Sequence, residues 1–180
     1  SGDWSSDVCS SDLKKYFIVI GLVLAFISSS SQILEPVKWK FSSEQINEKE
    51  VVLIFKADIE KKWHLYSQNI EEGGPIPTGF FFDESTDYEL VGKVIEKSKA
   101  TTEFDKSFKM DLAYFSIEAI FEQKVKILTD KPFAVKGFIE FMVCDDERCL
   151  PPAEAEYEFA FNANGEIQAE QSSISHENEA

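Results

Sequence analysis

Residues 118–127 read Glu118-Ala119-Ile120-Phe121-Glu122-Gln123-Lys124-Val125-Lys126-Ile127, and the second half alternates polar with apolar side chains. Successive side chains of an extended backbone point to opposite faces, so this pattern describes a strand with one face buried and the other in water. The chain on either side, from Ile33 onward, breaks into similar short apolar stretches separated by turn-forming residues. Their spacing of roughly 8–15 residues is that of a β-sandwich. Strands are expected at 37–41, 50–58, 63–67, 78–82, 88–96, 109–115, 117–128, 135–143 and 155–161. Sixteen Phe residues favour the same all-β, two-layer reading, because aromatic and β-branched side chains suit a pleated surface.

A chain of 180 residues that is 43% hydrophobic can bury the core of one domain of ordinary size. Asp and Glu number 33 against 18 Lys and Arg, a formal charge of -15. Such a surface repels nucleic-acid phosphates and anionic membranes, which leaves proteins or small molecules as partners. His64 is the one histidine before the acidic C-terminal stretch, so a Ser/His/Asp constellation is not expected, and no phosphate-binding glycine loop is visible.

Residues 1–13 are rich in Ser and Asp and stand where no export signal would begin, as read-through of a cloning or sequencing adaptor would; Cys9 is set aside with them. Residues 14–32 run from Lys14-Lys15 through an apolar segment to four serines, the order of a secretory signal peptide. Its apolar run, 16–27, is too short to span a bilayer of about 30 Å as a helix, and no cysteine marks a lipoprotein cleavage point. The mature domain is therefore expected over 33–161 as an exported protein, with 162–180 an acidic tail or linker. Residues 71–77 hold two Gly and two Pro and must form a loop, and 97–108 is a second long polar stretch interrupted by Phe104 and Phe108.

Setting Cys9 aside leaves one cysteine pair, in Phe138-Ile139-Glu140-Phe141-Met142-Val143-Cys144-Asp145-Asp146-Glu147-Arg148-Cys149-Leu150-Pro151-Pro152. A strand, a polar turn and a second strand behind two prolines would bring the two Cα atoms within the roughly 4.4–6.8 Å a disulfide needs. Such a bridge can be a structural staple or an exchangeable redox centre. Closing so small a loop is worth only about 2 kcal/mol, against about 4.7 kcal/mol for a 100-residue loop, which favours the redox reading. Short, exposed bridges also tend to have the higher reduction potentials that exchange requires. A zinc site is disfavoured, since only His64 could join the thiolates as a nitrogen ligand. Arg148 beside Cys149 favours a thiolate there, whereas Asp145, Asp146 and Glu147 disfavour one, so neither thiol should be strongly acidic. The rival functions are a non-catalytic exported binding or adhesion module with a structural disulfide, and a copper-handling thiol module.

With these residues in view the chain resembles the N-terminal periplasmic domain of the DsbD family of thiol:disulfide interchange proteins, over roughly residues 33–161. The likeness rests on Val143-Cys144 to Cys149-Leu150-Pro151-Pro152, on the aromatic strand Trp63-His64-Leu65-Tyr66-Ser67, and on Glu103-Phe104-Asp105, similar to that family's cap loop. It departs from the best-known members in a turn one residue shorter and in His64 where tyrosine is common. The resemblance implies an immunoglobulin-like sandwich with a redox-active cysteine turn, acting as a protein-disulfide reductase domain with no cofactor beyond the Cys144–Cys149 disulfide. It implies electrons taken from a thioredoxin-like donor and passed to periplasmic disulfide isomerases or cytochrome-maturation thioredoxins. Cys149 would form the mixed disulfides and Cys144 resolve them. His64, Tyr66, Glu103, Phe104, Arg148 and Pro151 would line or cap the site, with Phe104 covering the bridge.

Overall fold

The computed structural model describes residues 34–106 and 108–162, together with the backbone of residues 171 and 172. The expected adaptor segment and signal peptide, and most of the expected tail, lie outside the described residues.

Strict alternation builds the first layer. Strand β2 (Glu50–Ile59) buries Val51, Leu53, Phe55, Ala57 and Ile59 and turns the residues between them outward. It pairs antiparallel with β1 (Val37–Asn47) on one side and with β8 (Glu118–Ile127) on the other. In β8 the inward residues are Ala119, Phe121, Gln123, Val125 and Ile127, so the alternation holds along the whole strand. The strand is one residue shorter at each end than expected. Ile117 takes a left-handed backbone (φ 73°) in the preceding turn and is exposed, as is Leu128 beyond the other end. Strand β5 (Tyr88–Glu96) lies beyond β8, and the backbone of β12 (Gln171–Ser172) adds to β1.

Gln123 is an inward polar residue in an apolar row, buried to 1% exposure. The ladder between β5 and β8 shifts register between Val91 and Ile95, where Gly92 adopts φ 76°. The Gln123 amide donates to the Val91 carbonyl (3.3 Å) and to the Lys124 carbonyl (2.7 Å), so the bulge is filled by a side chain that satisfies backbone.

The opposite layer consists of two sheets. One contains β4 (Gly79–Phe82), β9 (Phe133–Phe141) and β11 (Ala153–Phe161), in the order β11-β9-β4. The other has the order β10-β3-β7-β6, from β3 (His64–Tyr66), β6 (Thr101–Asp105), β7 (Met110–Phe115) and β10 (Val143–Cys144). No helix occurs among the described residues, and the whole is an immunoglobulin-like sandwich. Its core is aromatic: Phe55 meets Phe41, Phe80, Phe82, Tyr157 and Phe159 at centroid distances of 4.9–6.2 Å, mostly edge to face. At Gly137 an added Cβ would stand 1.9 Å from the Phe81 carbonyl oxygen and 2.6 Å from the Tyr157 hydroxyl. Glycine there lets Tyr157 donate to that carbonyl (2.8 Å) and lets β4 pair with β9.

Two expectations need correction. The stretch 135–143 is two strands, because the chain leaves the sheet of β9 at Met142 and joins β3 as β10. The polar stretch 97–108 is not all loop, because residues 101–105 form β6, paired with β7 from Thr101–Tyr114 to Asp105–Met110. Four of its five side chains are exposed, so it shows no apolar alternation; the hydrogen-bonded ladder to β7 holds it instead.

Candidate redox site

Cross-strand registration sets the site. In the small sheet His64 pairs with Cys144, Tyr66 with Tyr114, and Leu65 with both Val143 and Phe115. Directly opposed residues share a face. Leu65, Phe115 and Val143 therefore point into the main core, while His64, Tyr66, Tyr114, Leu112 and Cys144 point the other way. On that second face Tyr66, Leu112 and Cys144 form a separate small cluster, covered by Ile70, Phe108, Met110, Tyr114 and Met142.

Cys144 begins the turn and Cys149 ends it. The two pair as an isolated bridge and are joined by a disulfide, with Cα atoms 4.0 Å apart. The backbone reverses through Asp145 N–H to the Arg148 carbonyl (2.9 Å) and Leu150 N–H to the Val143 carbonyl (2.9 Å). The Asp145 carboxylate accepts from the N–H groups of Glu147 (2.9 Å) and Arg148 (2.8 Å), which is why an Asp starts this turn. Those two backbone donors, then the neighbouring guanidinium, hold the Asp145 carboxyl below its usual range. Arg148 is shared between Asp145 (3.6 Å) and the face of Trp63, 5.8 Å from the ring centroid. Its charge is thus partly answered within the turn, and Cys149 faces a less cationic neighbour than the sequence suggests. Pro151 and Pro152 are exposed and lead into β11.

The two sulfur-bearing residues differ in access. Cys144 is 4% exposed and packed in the small cluster, whereas Cys149 is exposed. His64 stacks on Tyr114 with centroids 4.0 Å apart and planes 16° apart. The Tyr114 hydroxyl donates to Glu103 Oε2 (2.8 Å). Burial, then the Asp105 charge, pushes the Tyr66 phenol up to about 12; burial, then the bond to Glu103, does the same for Tyr114. Both phenols keep their protons through the neutral range.

His64, Tyr66, Glu103 and the two cysteines thus come together on one face. Phe104 does not join them. Its β6 register, opposite Asp111, puts it on the face away from Glu103, where it is 62% exposed and borders an open groove of about 440 Å³ with Thr102, Asp111 and Ala113; Ile70 and Met110, which cover the cysteine cluster, reach the edge of the same groove. Of the two aromatics in the stretch 97–108, the one packed against the cysteine cluster is Phe108, delivered by a turn in which the Asp105 carboxylate accepts from its N–H (3.0 Å). Tyr114, Met110 and Met142 were not singled out from the sequence either. Once β3 and β7 are paired, the alternation of β7 identifies Tyr114, but no local motif does.

An all-β sandwich that carries a bonded cysteine pair on a surface turn has the architecture of a thiol:disulfide interchange domain. The chain belongs to the family described as "Thiol:disulfide interchange protein DsbD, N-terminal", which matches residues 30–160. The fold is similar to the crystal structure of the Neisseria meningitidis DsbD N-terminal domain in the reduced form, with TM-score 0.50 and 17% identity over 75% of this chain and 95% of that one. It is also similar to the N-terminal periplasmic domain of ScsB from Proteus mirabilis, with TM-score 0.53 and 14% identity over 76% of this chain and 50% of that one. At such identities the likeness concerns the fold. No curated protein matches the chain.

Proposed function

We propose that this domain is a periplasmic protein-disulfide reductase module that relays electron pairs through a reversible Cys144–Cys149 disulfide, with Cys149 the exchanging sulfur and Cys144 the resolving one. The difference in access carries the assignment: Cys149 is exposed, while Cys144 is buried in the small cluster. A donor thiolate attacks Cys149 Sγ, the Cys144–Cys149 bond breaks, and Cys144 leaves as a thiolate that takes a proton. The donor's second thiol then attacks its own sulfur of the mixed disulfide and frees Cys149, so the donor is oxidised by two electrons and the domain reduced by two. Transfer to an acceptor runs the same steps in reverse, with the acceptor's disulfide reduced to two thiols. The partners are thioredoxin-fold proteins: a donor domain, and periplasmic disulfide isomerases or cytochrome-maturation thioredoxins. Export by the segment 14–32 would place the domain among them. No cofactor beyond the disulfide is needed for these steps.

The test is trapping. Cys144→Ser, incubated with an oxidised thioredoxin-fold partner, should accumulate a mixed disulfide through Cys149 that non-reducing electrophoresis and mass spectrometry detect, and Cys149→Ser should yield little. Accumulation in Cys149→Ser instead would reverse the two roles. Trapping in neither would replace the relay by the structural-bridge reading.

A further inference from the structure

His64 is the one histidine among the described residues, and the register sets it directly across from Cys144. In an antiparallel pair the Cβ atoms of opposed residues lie about 4.5–5.5 Å apart, within reach of an imidazole. Cys149 bridges to Cys144 from the other side, so the three residues stand in a row with Cys144 in the middle. The imidazole is half-buried, in touch with solvent, and its ring is held flat against Tyr114, which is itself tied to Glu103. An aromatic packing residue needs none of the proton chemistry this position offers. We propose that His64 is the proton-transfer partner of Cys144, taking the thiol proton when Cys144 resolves a mixed disulfide and returning one when Cys144 leaves; this rests on the relay reading above.

Cys149, having given its proton to water, attacks an acceptor disulfide, and one acceptor sulfur departs as a thiolate that water protonates. Cys144 then gives its proton to the imidazole, its Sγ bonds to Cys149 Sγ, and the bond from Cys149 to the acceptor breaks. The second acceptor thiolate leaves and is protonated by imidazolium or water. Two thiols of the domain have become one disulfide, and the acceptor has gained two electrons and two protons.

The groups around the imidazole come from each element on that face. They are Tyr66 on its own strand, Tyr114 on β7, Glu103 and Asp105 on β6, and Cys144 on β10; Asp146 in the turn acts on Tyr114 through its charge. The two phenols do not ionise near neutrality, so they cannot take the thiol proton there. A neutral imidazole keeps one ring nitrogen as an acceptor, which can take the thiol proton. An unassisted thiol of ordinary pKa is only about 3% ionised at pH 7, so assistance can accelerate the step at most about 30-fold.

Ellman's reagent separates the two sulfurs. Reduced domain mixed with it releases one nitrothiolate when Cys149 attacks and a second when Cys144 resolves, and both are followed by stopped-flow absorbance. His64→Phe keeps a ring against Tyr114 and removes the proton acceptor; His64→Ala leaves space for added imidazole. The expected result at pH 7 is a second release about tenfold slower in both variants, with the first release still present. The deficit should close above about pH 9, where a thiol ionises unaided, and added imidazole should restore the rate of His64→Ala. A second release as fast in His64→Phe as in the parent, or a deficit that persists at high pH and ignores imidazole, overturns the assignment and leaves His64 as packing. If the parent protein shows no first release, the relay reading itself fails.

Discussion

If the proposed relay holds, reducing the Cys144–Cys149 bridge should leave the domain folded, because the reduced form is one of its two working states. The bridge closes a sequence separation of 5 residues. The entropy removed from the unfolded chain by so short a loop is about 7 cal/mol/K, or about 2 kcal/mol at 25 °C. The turn has its own support: the Asp145 to Arg148 and Leu150 to Val143 backbone bonds, and the two bonds accepted by the Asp145 carboxylate, persist when the sulfurs part. Cys144 also remains packed in its cluster as a small apolar side chain. For a domain of this size 1 kcal/mol corresponds to roughly 3–4 °C, so the expected fall in Tm is about 6–8 °C. Urea and thermal unfolding of oxidised and fully reduced protein, with the thiol state checked by alkylation and mass, measures it. A loss above about 4 kcal/mol, or a reduced chain that is unfolded at 37 °C, would show that the bridge staples the fold and would refute the relay.

Gly137→Ala should cost about 1–3 kcal/mol or more, because the new methyl would displace the Phe81 carbonyl 1.9 Å away and with it the β4–β9 ladder; urea unfolding reads this, and a neutral effect would contradict the close approach. Phe108→Ala should speed reduction of the bridge by dithiothreitol severalfold while Phe104→Ala changes little, since the first packs on the Cys144 cluster and the second is exposed; the opposite ranking would restore Phe104 as the cover. The folded pKa of Asp145 is depressed, so its bonds to the turn are fully present above the ordinary carboxylate range and are lost as pH falls through that lower folded value. Amide chemical shifts of Glu147 and Arg148 should therefore titrate in acid in the parent and stay flat in Asp145→Asn, which keeps an acceptor that does not ionise.

The alternation at 118–127 was enough to identify a half-buried strand, and the cysteine spacing enough to identify a closed turn, because both are local patterns with a fixed period or reach. Burial on β8 even extended to Gln123, whose amide is satisfied by a bulge in another strand that no local reading could anticipate. Strand β6 escaped notice for the complementary reason. Its side chains are almost all in water, so its identity lies in hydrogen bonds to β7 and not in composition. The packing of the two aromatics was not legible either: Phe104 and Phe108 are equally isolated in sequence, and only the register of β6 and the turn after it separate the exposed ring from the one packed beside Cys144. That His64 and Tyr66 share one strand face was legible from their spacing of two, whereas Tyr114 reaches that face from a strand distant in the chain.

The bulge at Gly92 bears on self-association. Strand β5 closes one side of the five-stranded sheet and carries Leu90, Val91 and Ile95 at 37%, 39% and 53% exposure, a greasy margin that invites a second chain to add a strand. A visiting strand could run in register along Tyr88–Val91, but at Gly92 the backbone leaves the line and Lys93 brings a charge to the contact. Such an interruption disfavours edge-to-edge strand addition, and straightening it with β-branched residues should make this margin a better template for a second strand.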